Sequence, residues 1–396
     1  MRLSFRSIFT PSQPVVERER FAGRVEALRM LIAGLEDQRL HAVIYGDRGI
    51  GKTSLLHILS GAARDAGYLV LYQSCDADSD FDGMFRSVLG QIPQLYHGGI
   101  APTATSSEVG ASLADLTGAT PLSPRHVTDL LAPVAGTRII IMLDEFDRAT
   151  SRSFRRSIAE LIKNLSDRSA RVQLVVAGVA ANFMELIEHI PSIRRNVLNL
   201  ELPRMDDSEV DEMLQIGSDE SGLGFSDAAR QRIRTIANGS PYIATLLAHH
   251  AGMRAIDEEV LEISSAHVAA AIREALRELE SRIGRVVLAC VARMGSIREE
   301  RNISLAAGAS LFSAGLFDLE QLCGGPNPLL ERAVIEEMAE AGGLIVPDPV
   351  AGPGIYRFVE EGLPTYLWMR FAQALEATDS RKSGNIQTSG ALLPSC

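Results

Sequence analysis

The chain is 396 residues long, which exceeds one ordinary domain and predicts roughly two or three domains of about 150 residues each. A hydrophobic fraction of 46% and a charged fraction of 22% are typical of a soluble globular protein and exclude a collagenous or largely disordered chain. The formal net charge of −11 opposes non-specific attraction to nucleic acid over the whole surface, although it leaves a local basic face open.

The four cysteines and the N-terminus bear on where the protein works. The cysteines are far apart in the sequence and form no CxxC or Cys/His motif: they are Cys75, Cys290, Cys323 and Cys396. This pattern predicts neither a disulfide framework nor a zinc site and fits a reducing compartment. The N-terminus lacks a signal segment, and no apolar run reaches the 18 or so residues that span a bilayer. We therefore expect a soluble, cytoplasmic protein with no membrane partner.

The first part of the chain predicts an α/β fold. Residues 1–20 contain Pro11 and Pro14 followed by a charged cluster, and they predict an extended N-terminal arm. Helical spacing of apolar residues follows, and His41 to Tyr45 then predicts a strand. Strands that alternate with helices farther along the chain indicate a parallel sheet.

A phosphate-binding loop follows the first predicted strand. The pattern GxxxxGK[ST] is matched by Gly46, Asp47, Arg48, Gly49, Ile50, Gly51, Lys52 and Thr53, with Ser54 next to it. Glycines let backbone N–H groups approach a phosphate at the N-terminus of a helix. We expect Lys52 to reach the β- and γ-phosphates and the Thr53 hydroxyl to bind Mg²⁺. The alternative is a glycine-rich turn with a chance lysine, which the flanking strand and helix disfavour.

Two carboxylates end a second apolar strand. The run from Arg138 to Leu143 is typical of a strand that is buried on both faces, and Asp144 and Glu145 follow it. We expect Asp144 to hold Mg²⁺ through water and Glu145 to polarise the water that attacks the γ-phosphate. An exposed strand end that happens to be acidic is the alternative. Together with the phosphate loop, the pair predicts Mg-dependent hydrolysis of a nucleoside triphosphate.

Three further features between the strands have two interpretations each. Residues 97–124 predict a flexible insertion, or a loop that binds a partner. Asn182 follows the fourth predicted strand and is either a γ-phosphate sensor or a helix N-cap. Arg194 and Arg195 precede the fifth strand and could reach a neighbouring subunit's nucleotide, or they could be a solvated pair at a helix end. In the first case hydrolysis requires a homo-oligomer.

Helical patterns dominate from Pro203 onward. The turn Asn238-Gly239-Ser240-Pro241 separates two of the predicted helices, although any link between helices can use glycine and proline in this way. Near the C-terminus, two short strands flank the tip Asp348 to Pro353 after a pair of helices, which indicates a winged helix. The polar residues after about Ala377 predict a disordered tail.

These motifs together resemble the AAA+-related P-loop ATPases of the STAND and origin-recognition type. The stretch from Phe21 to Leu28 is similar to the FxGRxxEL box of that group, which implies base and ribose contacts for Phe21, Gly23 and Arg24. Gly239-Ser240-Pro241 is similar to the GxP motif of STAND switches, in which the proline packs on the adenine. It departs from the lid arginine of origin-recognition initiators, and this departure favours a slow nucleotide switch that binds ATP or ADP.

The resemblance also implies the fold and the domains. We expect a P-loop NTPase parallel sheet of order 5-1-4-3-2, then an α-helical lid and a C-terminal winged-helix domain. The expected boundaries are an N-terminal arm at 1–20, the nucleotide-binding core at 21–203 with its insertion at 97–124, the lid at 204–280, the winged helix at 281–376 and the tail at 377–396.

Three functional classes stay open. The favoured hypothesis is a slowly hydrolysing ATPase that switches between ADP and ATP forms in signalling or defence, assembles as a homo-oligomer with ATP and acts on a protein effector. The second is an initiator- or transposition-type ATPase whose winged helix binds duplex DNA. It is not favoured, because Arg282 to Ala372 contains eight arginines and no lysine against eleven acidic residues. A nucleotide-stabilised scaffold is the third, and Glu145 argues against it.

Overall fold

The computed structural model describes residues 2–99, 110–180, 193–294, 297–311, 313, 315–323, 330–341, 343–348 and 351–371. They form two compact units. The core unit consists of Arg6–Gly222 and Ala237–Thr245, and the helical unit consists of the other described residues. The sensor candidate Asn182 and the tail after Ala377 lie outside the described ranges.

Helices and strands alternate along the first half of the chain, and helices dominate the second half. The helices are α1 (Arg2–Ile8), α2 (Val25–Glu36), α3 (Lys52–Asp65), α4 (Phe81–Gly90), α5 (Pro124–Leu131), α6 (Arg152–Asp167), α7 (Asp207–Ser221), α8 (Asp227–Ala237), α9 (Pro241–Asp257), α10 (Ser265–Ser281), α11 (Arg285–Arg293), α12 (Ile297–Ser310), α13 (Leu319–Cys323) and α14 (Arg332–Ala341), and residues 363–371 are also helical. The strands are β1 (His41–Gly46), β2 (Leu69–Ser74), β3 (Ile139–Asp144), β4 (Val172–Val179), β5 (Val197–Glu201), β6 (Gly224–Phe225), β7 (Glu262–Ile263), β8 (Leu316–Asp318), β9 (Ile345–Pro347) and β10 (Ile355–Phe358).

A five-stranded parallel sheet forms the centre of the core unit. Its strand order is β2-β3-β4-β1-β5. From the opposite edge this is the order 5-1-4-3-2, so the predicted fold class is confirmed, as is the helical C-terminal region. Because the strands are parallel, the carboxyl ends of β1, β3 and β4 meet at one edge, which is where ligands bind in sheets of this kind.

Strand β3 explains why the sequence needs a continuous apolar run at this place. Ile139, Ile141 and Leu143 pack in one hydrophobic cluster with residues of α4, α5 and α6. Ile140 and Met142 pack in a second cluster with residues of α2 and α3. Successive side chains of a strand point to opposite faces, so a sheet covered by helices on both faces requires an apolar residue at every position. All six residues of β3 are buried, as predicted.

The N-terminus differs from its prediction. Residues Arg2–Ile8 form helix α1, whereas an extended arm was expected over 1–20. Phe5 and Phe9 are buried, with 0% and 2% of their surface exposed. Phe5 lies in α1 and Phe9 directly follows it, and short helices depend on the packing of such side chains for their stability. The predicted extended conformation therefore applies only after α1, where Pro11 and Pro14 lie.

Helix α5 was not predicted, because the predicted insertion at 97–124 ends at Pro124, where this helix begins. Proline is favoured at the first position of a helix, where its missing N–H is not needed. Ser123 caps the helix, and its Oγ accepts a hydrogen bond from the His126 backbone N at 3.3 Å. Within residues 97–124, the described part also includes a short 3₁₀ helix at Leu113–Leu116 with a capping box formed by Ser112 and Asp115.

The helical unit contains two small sheets besides its helices. Strands β6 and β7 form a parallel pair, and an antiparallel sheet has the order β8-β10-β9. Strands β9 and β10 match the two predicted strands around the Asp348 tip, whereas β8 was not predicted. Trp368 is fully buried, and its Nε1–H donates to the Ile236 carbonyl at 2.9 Å, which fixes residues 363–371 against α8. Among the described residues, no helix is both long and apolar enough to cross a membrane.

His41 lies at the start of the central strand β1 and is 2% exposed. Its Nδ1 accepts a hydrogen bond from the Leu174 backbone N at 2.9 Å, so the neutral imidazole completes the pairing of β1 with β4. Burial lowers the pKa of His41 to about 4. The unfolded chain takes up this proton below about pH 6.5, so the contribution of His41 to stability is present above that pH and is lost as the pH falls towards 4.

We expect the free energy of unfolding to fall by up to about 3 kcal/mol from this group between about pH 6.5 and 4. His41→Gln keeps an acceptor for the Leu174 backbone N and should flatten that part of the pH dependence. Urea unfolding at a series of pH values measures this. The exposed His126→Gln is the control and should keep the wild-type slope. An unchanged slope for His41→Gln would contradict the assignment.

Candidate nucleotide site

The phosphate loop joins β1 to α3 at the carboxyl edge of the sheet. Gly46 has a φ of 143°, and a Cβ there would lie 2.7 Å from the Leu202 carbonyl oxygen. Gly51 is the N-cap of α3, with a φ of 99°. Both positions therefore require glycine, because a side chain would clash at the first and would be strained at the second. The loop places the N-terminus of α3 beside a cavity, as anion binding requires.

Lys52 is the first residue of α3 and is 8% exposed. Its Nζ donates to the carbonyl oxygens of Gly46 at 2.8 Å and Asp47 at 2.6 Å. Burial lowers the pKa of Lys52 to about 8, although the carboxylates of Asp147 and Asp47 act in the opposite direction. A bound phosphate would add negative charge beside the ammonium and favour its charged form.

Asp144 brings the two sequence motifs together. Its Oδ2 accepts from the Thr53 hydroxyl at 2.8 Å, and its Oδ1 accepts from the Glu145 backbone N at 2.8 Å. Asp144 is 2% exposed. Hydroxyl and carboxylate oxygens are the ligands that Mg²⁺ prefers, and it typically takes only one or two protein ligands besides phosphates and water. Thr53 and Asp144 therefore fit Mg²⁺. The described residues contain no cluster of three or more His, Cys, Asp or Glu that could hold a metal by itself.

Glu145 follows in a left-handed conformation, with a φ of 52°. One carboxylate oxygen, Oε2, accepts from the Ser74 hydroxyl at 3.1 Å, and the other, Oε1, lies 3.2 Å from Nη2 of Arg148. Its side chain is 41% exposed and lines the cavity. The carboxylate is thus beside the site, and both of its oxygens are engaged by side chains of the same chain.

Tyr72 is a residue of this site that the sequence did not reveal. Its hydroxyl donates to Asp144 Oδ2 at 2.7 Å, and its ring stacks on His57 with the ring centroids 5.2 Å apart. Burial, followed by the hydrogen bond to Asp144, raises the pKa of Tyr72 above its usual range, so the hydroxyl stays a donor. The only available signal was its place near the end of β2, the strand next to β3.

The residues expected to contact the base and the ribose, Phe21, Gly23 and Arg24, directly precede α2. Phe21 and Arg24 line the cavity, whereas Gly23 donates its backbone N–H to Glu212 Oε2 at 2.8 Å and is not part of the lining. Arg24 is 6% exposed, its Nη2 donates to the Ile50 carbonyl at 3.5 Å, and its buried Nε has no hydrogen-bond partner within the described structure. Burial lowers the pKa of Arg24, against the opposing charge of Glu209. An unsatisfied buried donor at a cavity fits a ligand that brings an acceptor.

The Gly-x-Pro turn also reaches the cavity. Pro241 and Tyr242, the first residues of α9, line it. A Cβ on Gly49 of the phosphate loop would lie 3.1 Å from the Tyr242 Cβ, so the two backbones approach closely. Gly239 has a φ of 78°, and its carbonyl accepts from the Met205 backbone N at 3.0 Å. The turn is thus held on one side by the segment after β5 and contacts the phosphate loop on the other.

Not every candidate residue lines the cavity. Arg194 and Arg195 are exposed and do not line it. Of the phosphate-loop pattern, the residues from Arg48 to Thr53 line it together with Ser54, whereas Gly46 and Asp47 contact Lys52 through their carbonyls. The cavity has a volume of about 860 Å³, within the range of about 300–1,000 Å³ that is usual for small-molecule sites.

Comparisons with known proteins found one family model and several solved structures that are similar to the chain. A family model of the AAA ATPase domain matches residues 20–176. No protein of curated function matches the chain. The Walker-type ATPase PABY2304 of Pyrococcus abyssi is 15% identical, with 91% of this chain and 99% of that chain covered and a TM-score of 0.50.

Two further solved structures are similar over most of the chain. Cdc6p from Pyrobaculum aerophilum is 17% identical, with 94% of this chain and 98% of that chain covered and a TM-score of 0.47. The Aeropyrum pernix ORC1 protein in complex with DNA is 19% identical, with 95% and 98% covered and a TM-score of 0.48.

The chain thus contains a stretch that matches the AAA ATPase domain and has the strand order and the phosphate loop of a P-loop ATPase fold. This stretch spans residues 20–176 and contains the phosphate loop, Asp144 and Glu145. The predicted family resemblance is confirmed at this level.

Tyr72→Phe removes the hydroxyl that orients Asp144 and should weaken the effect of Mg²⁺ on nucleotide affinity by about tenfold, since such supporting contacts are typically worth 10–100-fold in metal affinity. Titration of a fluorescent ADP analogue with and without Mg²⁺ measures this. Tyr68→Phe is the matched control, because Tyr68 precedes the same strand and its hydroxyl contacts Arg138 instead. Equal Mg²⁺ dependence in the Tyr72→Phe variant and the wild type would contradict the role given to Tyr72.

Proposed function

We propose that the chain is an ATP-driven switch, which binds ATP with Mg²⁺, hydrolyses it slowly and differs in conformation or assembly between its ATP and ADP forms. The observation that carries the proposal is the contact of the Gly-x-Pro turn with the phosphate loop. Tyr242 packs on Gly49, so a shift of the loop on γ-phosphate binding would displace the start of α9. A nucleotide drives such a change only by its different affinity for the two states.

The individual residues have complementary tasks in this proposal. Lys52 and the backbone of the phosphate loop bind and orient the β- and γ-phosphates, and Thr53 and Asp144 hold Mg²⁺. When bound, Mg²⁺ neutralises charge on the phosphate oxygens. Glu145 accepts a proton from the attacking water. Phe21, Arg24 and Pro241 hold the base and ribose.

The contacts of Glu145 support slow hydrolysis. A general base accepts a proton from the water that it polarises. Ser74 contacts Oε2 of Glu145 and Arg148 contacts Oε1, and these donors compete with the water and make the carboxylate a weaker base. Slower hydrolysis lengthens the life of the ATP state, as a switch requires.

The exposure of Arg194 and Arg195 supports assembly in the ATP state. Both side chains lie outside the lining of the cavity of their own chain. Arg48 and Arg148 of the same chain line the cavity, and a guanidinium from a second copy would add to them in stabilising the transferring phosphoryl group. We therefore propose that the ATP form is a homo-oligomer and that one of these arginines acts on the nucleotide of its neighbour.

For the C-terminal half of the chain we propose a lid at 204–280 and a winged helix at 281–376. The three-stranded sheet β8-β10-β9 after α12 supports the second assignment. Duplex DNA is the less favoured partner, and a protein effector the more favoured one. Arginines of this region are paired with carboxylates, as in Arg298 with Glu331, Arg357 with Asp348 and Arg370 with Glu300, and such pairs reduce the charge available to phosphates.

Size-exclusion chromatography with light scattering, in the absence of nucleotide and with ADP or ATP and Mg²⁺, tests the switch. We expect a larger species with ATP, which Glu145→Gln retains because it blocks hydrolysis, and which Arg195→Ala loses. If Arg194 is the finger, Arg194→Ala loses it instead. A monomer of unchanged shape under every condition would contradict the proposal.

Arg148→Ala should release one oxygen of Glu145 and raise the rate of ATP hydrolysis by about two- to fivefold, the range expected for an exposed ion pair. Single-turnover hydrolysis measures this rate. Arg29→Ala is the matched control, because Arg29 forms an ion pair of 3.0 Å with Glu26 at the same sequence spacing on the surface of α2. A lower rate for Arg148→Ala would show that Arg148 assists catalysis instead of restraining Glu145.

A further inference from the structure

The N-terminal residues 7–17 lie along the candidate nucleotide cavity. All of them are part of its lining, and they precede the matched AAA ATPase domain, which begins at residue 20. We propose that these residues, which we call the N-terminal strap, form an outer wall of the nucleotide site and slow the release of nucleotide. The inference rests on the proposed binding of ATP and ADP but not on hydrolysis or assembly.

Phe9 anchors the strap within the core unit. It is 2% exposed and packs against Gly217 of α7, where an added Cβ would lie 2.1 Å from Cζ of the ring. Only glycine leaves room for the ring at this position. The Thr10 hydroxyl donates to the Arg6 carbonyl at 2.6 Å and fixes the point where the chain leaves α1. A buried phenylalanine in a fitted recess holds the strap at one end.

The other end of the strap contacts the phosphate-loop helix. The Val15 backbone N donates to the Ser54 hydroxyl at 3.1 Å, directly after Thr53. Beyond the strap, Arg20 Nε forms ion pairs with Glu17 at 2.9 Å and Glu220 at 2.7 Å. The strap is thus held near both of its ends, by α7 and by α3.

The composition of the strap indicates which part of a nucleotide it faces. Residues 7–16 contain no charged side chain. Met213, Ile216 and Thr245 line the same cavity, whereas Lys52 provides positive charge at the phosphate loop. An uncharged wall of apolar, hydroxyl and amide groups suits a base and a ribose, and not a triphosphate. Pro11 and Pro14 restrict the backbone, which lowers the entropic cost of keeping the strap in place.

If the strap closes the site, nucleotide leaves only when the strap detaches, and the rate of detachment limits release. Displacing its anchor should then accelerate release without altering the phosphate loop. Two variants displace the Phe9 anchor in different ways. Phe9→Ala removes the anchor, and Gly217→Ala fills its recess while leaving the strap sequence unchanged.

The chain offers a matched control for each variant. Phe85 of α4 is 0% exposed in the hydrophobic core of the same unit, and a Cβ on Gly34 of α2 would lie 2.9 Å from Cδ2 of Leu198. Phe85 and Gly34 do not line the cavity. Phe85→Ala and Gly34→Ala therefore impose packing defects elsewhere in the core unit and report the general effect of lost stability.

The experiment measures the dissociation of N-methylanthraniloyl-ADP from the full-length protein after addition of excess ADP. We expect Phe9→Ala and Gly217→Ala to accelerate release by about tenfold or more, because the packing lost with a buried phenylalanine corresponds to more than one decade in an equilibrium constant. Phe85→Ala and Gly34→Ala should stay close to the wild-type rate. Circular dichroism checks that each variant is folded.

Two results would overturn the inference. Unchanged release in both strap variants would show that the strap does not retain nucleotide, and equal acceleration in the two controls would assign the effect to stability. A wild-type protein that fails to bind the analogue at all would instead contradict the proposed function, so the two failures are distinguishable.

Discussion

The buried carboxylate of Asp144 is the constraint on which the site depends. An ionised group that is 2% exposed would cost several kcal/mol without partners, so each of its oxygens must be satisfied. Three donors do this, from Thr53 on α3, Tyr72 on β2 and the backbone of Glu145 after β3. Satisfying one carboxylate therefore fixes the phosphate-loop helix, two strands and the orientation of the chain that carries Glu145.

Much of this arrangement could be predicted from the sequence, because its parts depend on local patterns. The phosphate loop is a contiguous motif whose glycines meet steric limits at Gly46 and Gly51, and β3 is recognisable since burial on both faces needs an apolar residue at every position. Parallel strands then bring the ends of β1 and β3 to one edge. The placement of Lys52, Thr53 and Asp144 together follows from these facts alone.

Other parts could not be predicted, because they depend on contacts between distant residues. The hydroxyl of Tyr72 donates to Asp144, which is 72 residues farther along the chain. No motif near Tyr72 in the sequence indicates this contact. Helix α1 is short and has no independent stability, so its formation depends on the packing of Phe5 and Phe9 on glycines of later helices. Helix α5 was not predicted for a different reason: proline occurs both after the end of helices and at their first position, so Pro124 alone does not indicate which applies.

In the proposed function, the binding of phosphate and the retention of nucleotide depend on different parts of the chain. The phosphate loop and Asp144 are the residues proposed to bind phosphate and a divalent cation. The surrounding walls come from segments far apart in sequence, the strap and the turn at Pro241, and each is held by glycines that admit a close neighbour, Gly217 for the strap and Gly239 for the turn. Small changes at those glycines would alter how long nucleotide stays without altering the phosphate-binding residues. Retention and chemistry can therefore vary separately in this architecture.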